Sequence, residues 1–174
     1  GTFNKPSGSV VVDYCIITSI NATGGATFTA NNSIDGGGNS GWNITSAVSR
    51  TLYWVGGSGN WSDNAMWSLS SGGIGGNCIP SSIDDVIFDA NSFTAPGQTV
   101  TLNNIPATCR NFTWTNVTNT PALTSTGQSN IFISGSMALS PNMTIPFSNF
   151  SFVGAATGNT IFTAGLTIQS ILID

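Results

Sequence analysis

A short pattern recurs at fixed spacing in the last third of the chain. Asn111-Phe-Thr-Trp114, Asn130-Ile-Phe-Ile133 and Asn149-Phe-Ser-Phe152 begin 19 residues apart, twice in succession. Each is an Asn followed by apolar residues at its second and fourth positions, the alternation of a half-buried strand. A period near 20 with more than one strand segment per copy is the mark of a β-solenoid, in which each copy forms one coil stacked on the next. A single coil cannot bury its inward Phe, Ile and Trp, whereas several stacked coils make a continuous core. The repeat therefore predicts an all-β, parallel β-solenoid with coils of roughly 19 residues. The rival is a Greek-key β-sandwich, which short, evenly spaced strands also suit. In the solenoid, Asn111, Asn130 and Asn149 would stand in register as a structural Asn ladder.

Composition supports the β assignment and removes functions. Only 6% of the 174 residues are charged, against about 25% in ordinary soluble proteins. All seven acids are Asp, and the only cations are Lys5, Arg50 and Arg110. A chain without Glu and nearly without Lys is poorly equipped for helices. Three cations with a net charge of −4 exclude nucleic acid as a partner, since that binding draws on many Lys and Arg contacts to phosphate. No His is present, which excludes Ser-His-Asp and Cys-His catalysis and His-ligated zinc. No apolar run is long enough to predict a membrane span. No cofactor is predicted.

Three sections follow along the chain. Residues 1–45 carry the strand run Ser9–Thr18 and then a Gly/Asn-rich closing coil. Residues 46–98 are a Trp/Gly-rich junction leading into a second run of coils, and residues 99–174 are regular short strands. The chain opens at Gly1 without Met and closes within a strand-like run, Leu166 to Asp174, so it reads as a piece of a longer polypeptide.

Individual motifs carry little catalytic promise. Asn31, Ser33, Asp35 and Asn39 have the spacing of a calcium loop around Gly36, but Trp42 stands where a bidentate Glu is needed. The segment reads as a turn whose side chains bond their own backbone, and no metal site is predicted. Asp84, Asp85 and Asp89 flank Val86-Ile-Phe88 and read as solvated strand ends. A β-helix lyase is disfavoured because it needs a basic residue beside such acids, and only Arg50 and Arg110 qualify. Trp54, Trp61 and Trp67 read as packing, a cap or plug, with glycan contact as the alternative. Cys78 and Cys109 bracket residues 79–108 and are expected to form a disulfide, worth about 3–4 kcal/mol in a loop of that length. Cys15 is expected to pack inward. Eight Asn-x-Ser/Thr sequons begin at Asn21, Asn31, Asn43, Asn60, Asn111, Asn116, Asn142 and Asn149. Chance explains so many in this composition, and they are not read as glycosylated.

Tyr53-Trp-Val-Gly-Gly-Ser-Gly-Asn-Trp-Ser62, Cys78-Ile-Pro80, Asp85-Val-Ile-Phe-Asp89 and Thr108-Cys-Arg-Asn-Phe-Thr-Trp114 together resemble repeat modules of very large secreted surface proteins of Bacteroidota. The tail Ala22–Trp42 resembles the closing coil of the same modules. The resemblance implies a structural or adhesive role at the cell surface, export by the type IX machinery, and no catalytic residues. Expected partners are neighbouring modules of the same chain and surface glycans. The alternative is the non-catalytic, carbohydrate-binding part of a secreted polysaccharide-degrading enzyme, with contact through the three Trp.

Overall fold

The computed structural model describes residues 1–103, 106–127, 130–146, 149–154 and 156–173. It is all-β: among these residues the strands are joined by turns and one short 3-10 helix, Asn64–Met66, capped by the Asp63 carboxylate, which accepts from the Ala65 N–H. The chain forms two compact units, Gly1–Val48 and Ser49–Asp174. Asp174, which closes the predicted C-terminal strand run, lies outside the described residues.

The first unit contains β1 (Thr2–Asn4), β2 (Ser9–Asp13), β3 (Ile16–Ile17), β4 (Asn21–Thr23), β5 (Thr27–Asp35) and β6 (Asn43–Ser46). All its pairs are parallel: β1 with β4, β2 and β3 with β5, and β5 with β6. Thr2 lies beside Asn21 and Ser9 beside Thr27, so these coils repeat every 18 or 19 residues. Phe28 is buried at the centre of the unit, with Phe3 edge-on at 6.0 Å and Trp42 edge-on at 5.4 Å. Coils pack closely enough that a Cβ on Gly24 would sit 2.1 Å from the Lys5 carbonyl oxygen, and Gly24 also holds φ at +101°. Both facts require glycine there.

The second unit is a three-sided parallel solenoid. Its strands are β7 (Thr51–Trp54), β8 (Gly59–Asn60), β9 (Trp67–Ser68), β10 (Asp85–Phe88), β11 (Thr99–Asn103), β12 (Ala107–Cys109), β13 (Phe112–Trp114), β14 (Ala122–Thr126), β15 (Ile131–Ile133), β16 (Met137–Ala138), β17 (Asn149–Phe152), β18 (Ile161–Phe162) and β19 (Ser170–Ile173). The first sheet runs β9-β7-β10-β13-β16-β18, the second β8-β11-β14 and the third β12-β15-β17-β19. Successive strands visit the three sheets in turn, so β10, β11 and β12 form one coil, and β13, β14 and β15 the next. Pairing is parallel except where β9 folds back antiparallel on β7 and closes that edge of the first sheet.

Alternation along each strand sends one set of side chains inward. On the first sheet Leu52, Val86, Phe112 and Met137 form one fully buried column, with Trp54, Phe88 and Trp114 in a second. Leu102, Leu123, Ile131, Ile133 and Phe150 close the core from the other two sheets.

The coil length needs correction in this unit. Ile131 lies beside Phe150, 19 positions on, but Phe112 lies beside Met137, 25 positions on, and Ala107 beside Ile131, 24 positions on. Asn130 and Asn149 are therefore neighbours on the third sheet, whereas Asn111 belongs to the first sheet, and the three do not form one ladder. In a three-sided core every strand carries the same inward alternation. Spacing between like strands then does not report the length of a coil.

Candidate functional site

The first sheet concentrates the charge of the second unit. Asp84 and Asp85 open β10, and two arginines distant in sequence reach them. Arg50 donates from Nε to Asp84 Oδ1 at 3.1 Å and from Nη2 to Oδ2 at 2.6 Å. The Arg50 backbone N–H also reaches Oδ1, at 2.8 Å, and Ser81 donates to Oδ2 through both its backbone N–H and its hydroxyl. The same guanidinium reaches the Ile79 carbonyl at 3.2 Å. The pair is buried: Asp84 has 1% of its side-chain surface exposed and Arg50 10%. Beside it, Arg110 grips Asp85 through Nε at 2.7 Å and Nη2 at 2.6 Å, nearer the surface.

Burial pushes the Asp84 carboxyl up, but the Arg50 and Ser81 bonds outweigh it and hold the group below its ordinary value. Asp85 behaves alike: desolvation raises it, while Arg110 and the Asn111 bonds bring it below the usual range. Its hydrogen bond to Asp85 raises Arg110 in turn. The solvated strand ends expected for Asp84 and Asp85 are thus replaced by ion pairs. Asp89 caps a local turn, accepting from the Asn91 N–H at 2.9 Å.

The structure brings Arg50 and Arg110 to the acids, the basic neighbours that lyase chemistry would need. Both carboxylates nevertheless accept bidentate guanidinium bonds and backbone N–H groups, an arrangement that holds them ionised and anchored. The pair at Asp84 ties the long connection before β10 to the start of β7. Among the described residues no group of three or more His, Cys, Asp or Glu side chains could hold a metal ion. In the suspected calcium loop, Asp35 accepts from the Gly37 N–H and from the Asn39 amide, and Asn39 accepts from the Ile20 N–H. The segment is a self-bonded turn.

A polar ladder does exist, on different residues. Asp85, Asn111, Ser136 and Thr160 are register neighbours on successive coils of the first sheet. Asn111 Nδ2 donates to Asp85 Oδ1 at 2.8 Å, the Ser136 N–H donates to Asn111 Oδ1 at 2.8 Å, and the Thr160 N–H donates to Ser136 Oγ at 3.1 Å. Each side chain thereby accepts from its neighbour on the following coil. The amides of Asn130 and Asn149 make no bond to each other among the described residues.

Trp54, Trp61 and Trp67 offer no face to a sugar, because each is at most 1% exposed. They pack as a cap beneath β9. Trp67 meets Trp54 edge-on at 5.1 Å and Trp61 at 4.8 Å. The Trp67 indole donates to the Trp61 carbonyl, and that of Trp54 to the Gly57 carbonyl at 2.7 Å. Gly57 reaches that position at φ +86°.

The cysteines also depart from expectation. Cys78 and Cys109 are both free thiols: Cys109 points inward from β12 and is fully buried, while Cys78 is exposed. The inward direction of Cys109 follows from the strand alternation Ala107-Thr-Cys109. Cys15 is half-buried, with its thiol 3.2 Å from the Asp13 carbonyl. Burial, reinforced by Asp85 and Asp84, pushes the Cys109 thiol well above its ordinary value. With a thiol-reactive chromophore, Cys78 should label promptly in the native protein and Cys109 only in denaturant. Prompt labelling of Cys109, or a Cys78–Cys109 bridge in a non-reducing peptide map, would contradict this assignment.

No helix among the described residues is long and apolar enough to cross a membrane. No family model, curated protein or solved structure matches this chain.

Proposed function

We propose that the chain is a structural and adhesive segment of a large repetitive cell-surface protein, in which solenoid units act as stiff spacers and contact surfaces. The observation that carries this reading is the first sheet, six strands joined by parallel ladders and capped at one edge by β9 and the Trp cluster. Its ionisable groups are consumed in anchoring: Arg50 with Asp84 and Arg110 with Asp85 hold the coils together. The resemblance to secreted modules of Bacteroidota supplies the setting, with export by the type IX route and neighbouring modules as partners. A carbohydrate-binding enzyme part contacting sugar through Trp54, Trp61 and Trp67 loses support from their burial.

An antibody raised against the folded chain tests this reading on intact cells of the source organism. Labelling without permeabilisation is the expected result. Labelling only after the envelope is opened would sink it.

A further inference from the structure

The outward side of the first sheet carries a groove that the anchoring role does not use. Between the two buried columns, Tyr53, Ile87, Thr113, Ala138 and Phe162 form one outward column, in register across five coils. Side-chain bulk falls from the Tyr ring to the Ala138 methyl and rises again at Phe162, which is 60% exposed. Two adjoining depressions of about 340 and 380 Å³ share Thr113 and Ala138 as floor. The ladder Asp85–Asn111–Ser136–Thr160 lines one of them, while Asn116 and Asn142 line the other.

The chemistry of this groove is neutral and hydrogen-bonding. Asp85 is the only charged residue lining it, and Arg110 cancels that charge. The hydroxyls of Thr51, Thr113 and Thr160 and the amides of Asn116 and Asn142 make no side-chain hydrogen bond among the described residues, leaving them available to a ligand. These groups repeat along the stacking direction at the spacing of neighbouring strands, about 4.8 Å. One pyranose ring of an extended glycan spans about that length, whereas an extended peptide rises only about 3.4 Å per residue and drifts out of step. The exposed Phe162 ring supplies an apolar surface for a sugar face at one end.

We infer that this groove binds a linear, neutral, β-linked polysaccharide lying along the solenoid axis, one sugar per coil across β10, β13, β16 and β18. The inference rests on the adhesive reading above and names its ligand class. Sugar contact thereby moves from the buried Trp cluster to an outward face where side-chain donors and acceptors are free.

Affinity electrophoresis of the whole chain tests it, in gels containing soluble linear β-glucan, β-mannan or xylan, with polygalacturonate as the charged comparison. Retardation by at least one neutral polymer is expected. Ala138→Arg, which fills the floor, and Phe162→Ala, which removes the ring, should each weaken binding about ten-fold or more. Thr126→Arg, on the exposed end of β14, should leave it unchanged. Near-UV circular dichroism checks each fold, and Phe162→Ala decides the matter if Ala138→Arg unfolds. No retardation, retardation by polygalacturonate alone, or binding indifferent to both groove variants would overturn the inference. Surface labelling of intact cells would survive that outcome, so the two readings fail separately.

Discussion

Replacing Asp84 with Ala lowers the unfolding free energy of the second unit by about 3–5 kcal/mol, because it leaves Arg50 buried without its counter-charge. Arg50 is 10% exposed and cannot turn its guanidinium to water without leaving the Ile79 carbonyl. The hydroxyl and N–H of Ser81 lose their acceptor as well. Urea unfolding reads the change as a fall in midpoint at constant slope. A double variant, Arg50→Met with Asp84→Leu, should recover much of the loss, since an apolar pair of similar volume removes both desolvation costs. A single variant within about 0.5 kcal/mol of the parent would show that the pair holds nothing.

The same pair sets an acid limit. Asp84 and Asp85 both titrate below their ordinary values in the folded protein. Groups depressed in this way contribute stability that is fully present above the unfolded value, about 3.9 for Asp. That contribution is lost as pH falls from there through the lower folded values. The parent should therefore lose stability with acid below about pH 4, and Asp84→Ala should show a shallower slope there. Equal slopes would remove Asp84 as the cause.

Phe88→Ala is the second large effect, at about 3–5 kcal/mol. Phe88 is fully buried and stacks on Trp114 with ring centroids 4.2 Å apart, while Trp54, Trp61, Trp67, Phe93 and Phe112 surround it. Truncation opens a void among rings too large to collapse into it. Near-UV circular dichroism should weaken with it, because Trp54, Trp67 and Trp114 all lose a ring neighbour. Ile74→Ala, at a residue 92% exposed, should move stability by less than about 0.5 kcal/mol. Similar losses at both positions would refute the aromatic centre.

Much of the fold was legible in alternation and composition. Val86–Phe88, Phe112–Trp114, Ile131–Ile133 and Asn149–Phe152 all proved to be parallel strands with inward apolar residues. The boundary expected after residue 45 falls after Val48. Coil length was not legible, since Asn111 and Asn130 begin strands of the same pattern on different sheets. The ion pairs were hidden for a related reason. Arg50 stands 34 residues before Asp84, and Arg110 stands 25 after Asp85, distances that become adjacency only once coils stack. The cysteines could have been read better, because the inward alternation of β12 already turns Cys109 from the surface. The polar ladder escaped because Asn111, Ser136 and Thr160 follow spacings of 25 and 24 residues, not 19.

The antiparallel return of β9 also gives the second unit a direction in time. Gly59 in the first coil pairs with Val100, 41 residues away, whereas later neighbours on the same sheet, Thr99 and Ala122, are 23 apart. Closing that first, longest loop costs the most chain entropy, and the Trp cluster under β9 is what it gains in return. Once that end is formed, each later coil closes a shorter loop against a ready-made edge. Folding then resembles a zipper with a slow first tooth, starting at β7–β10 and running toward β19.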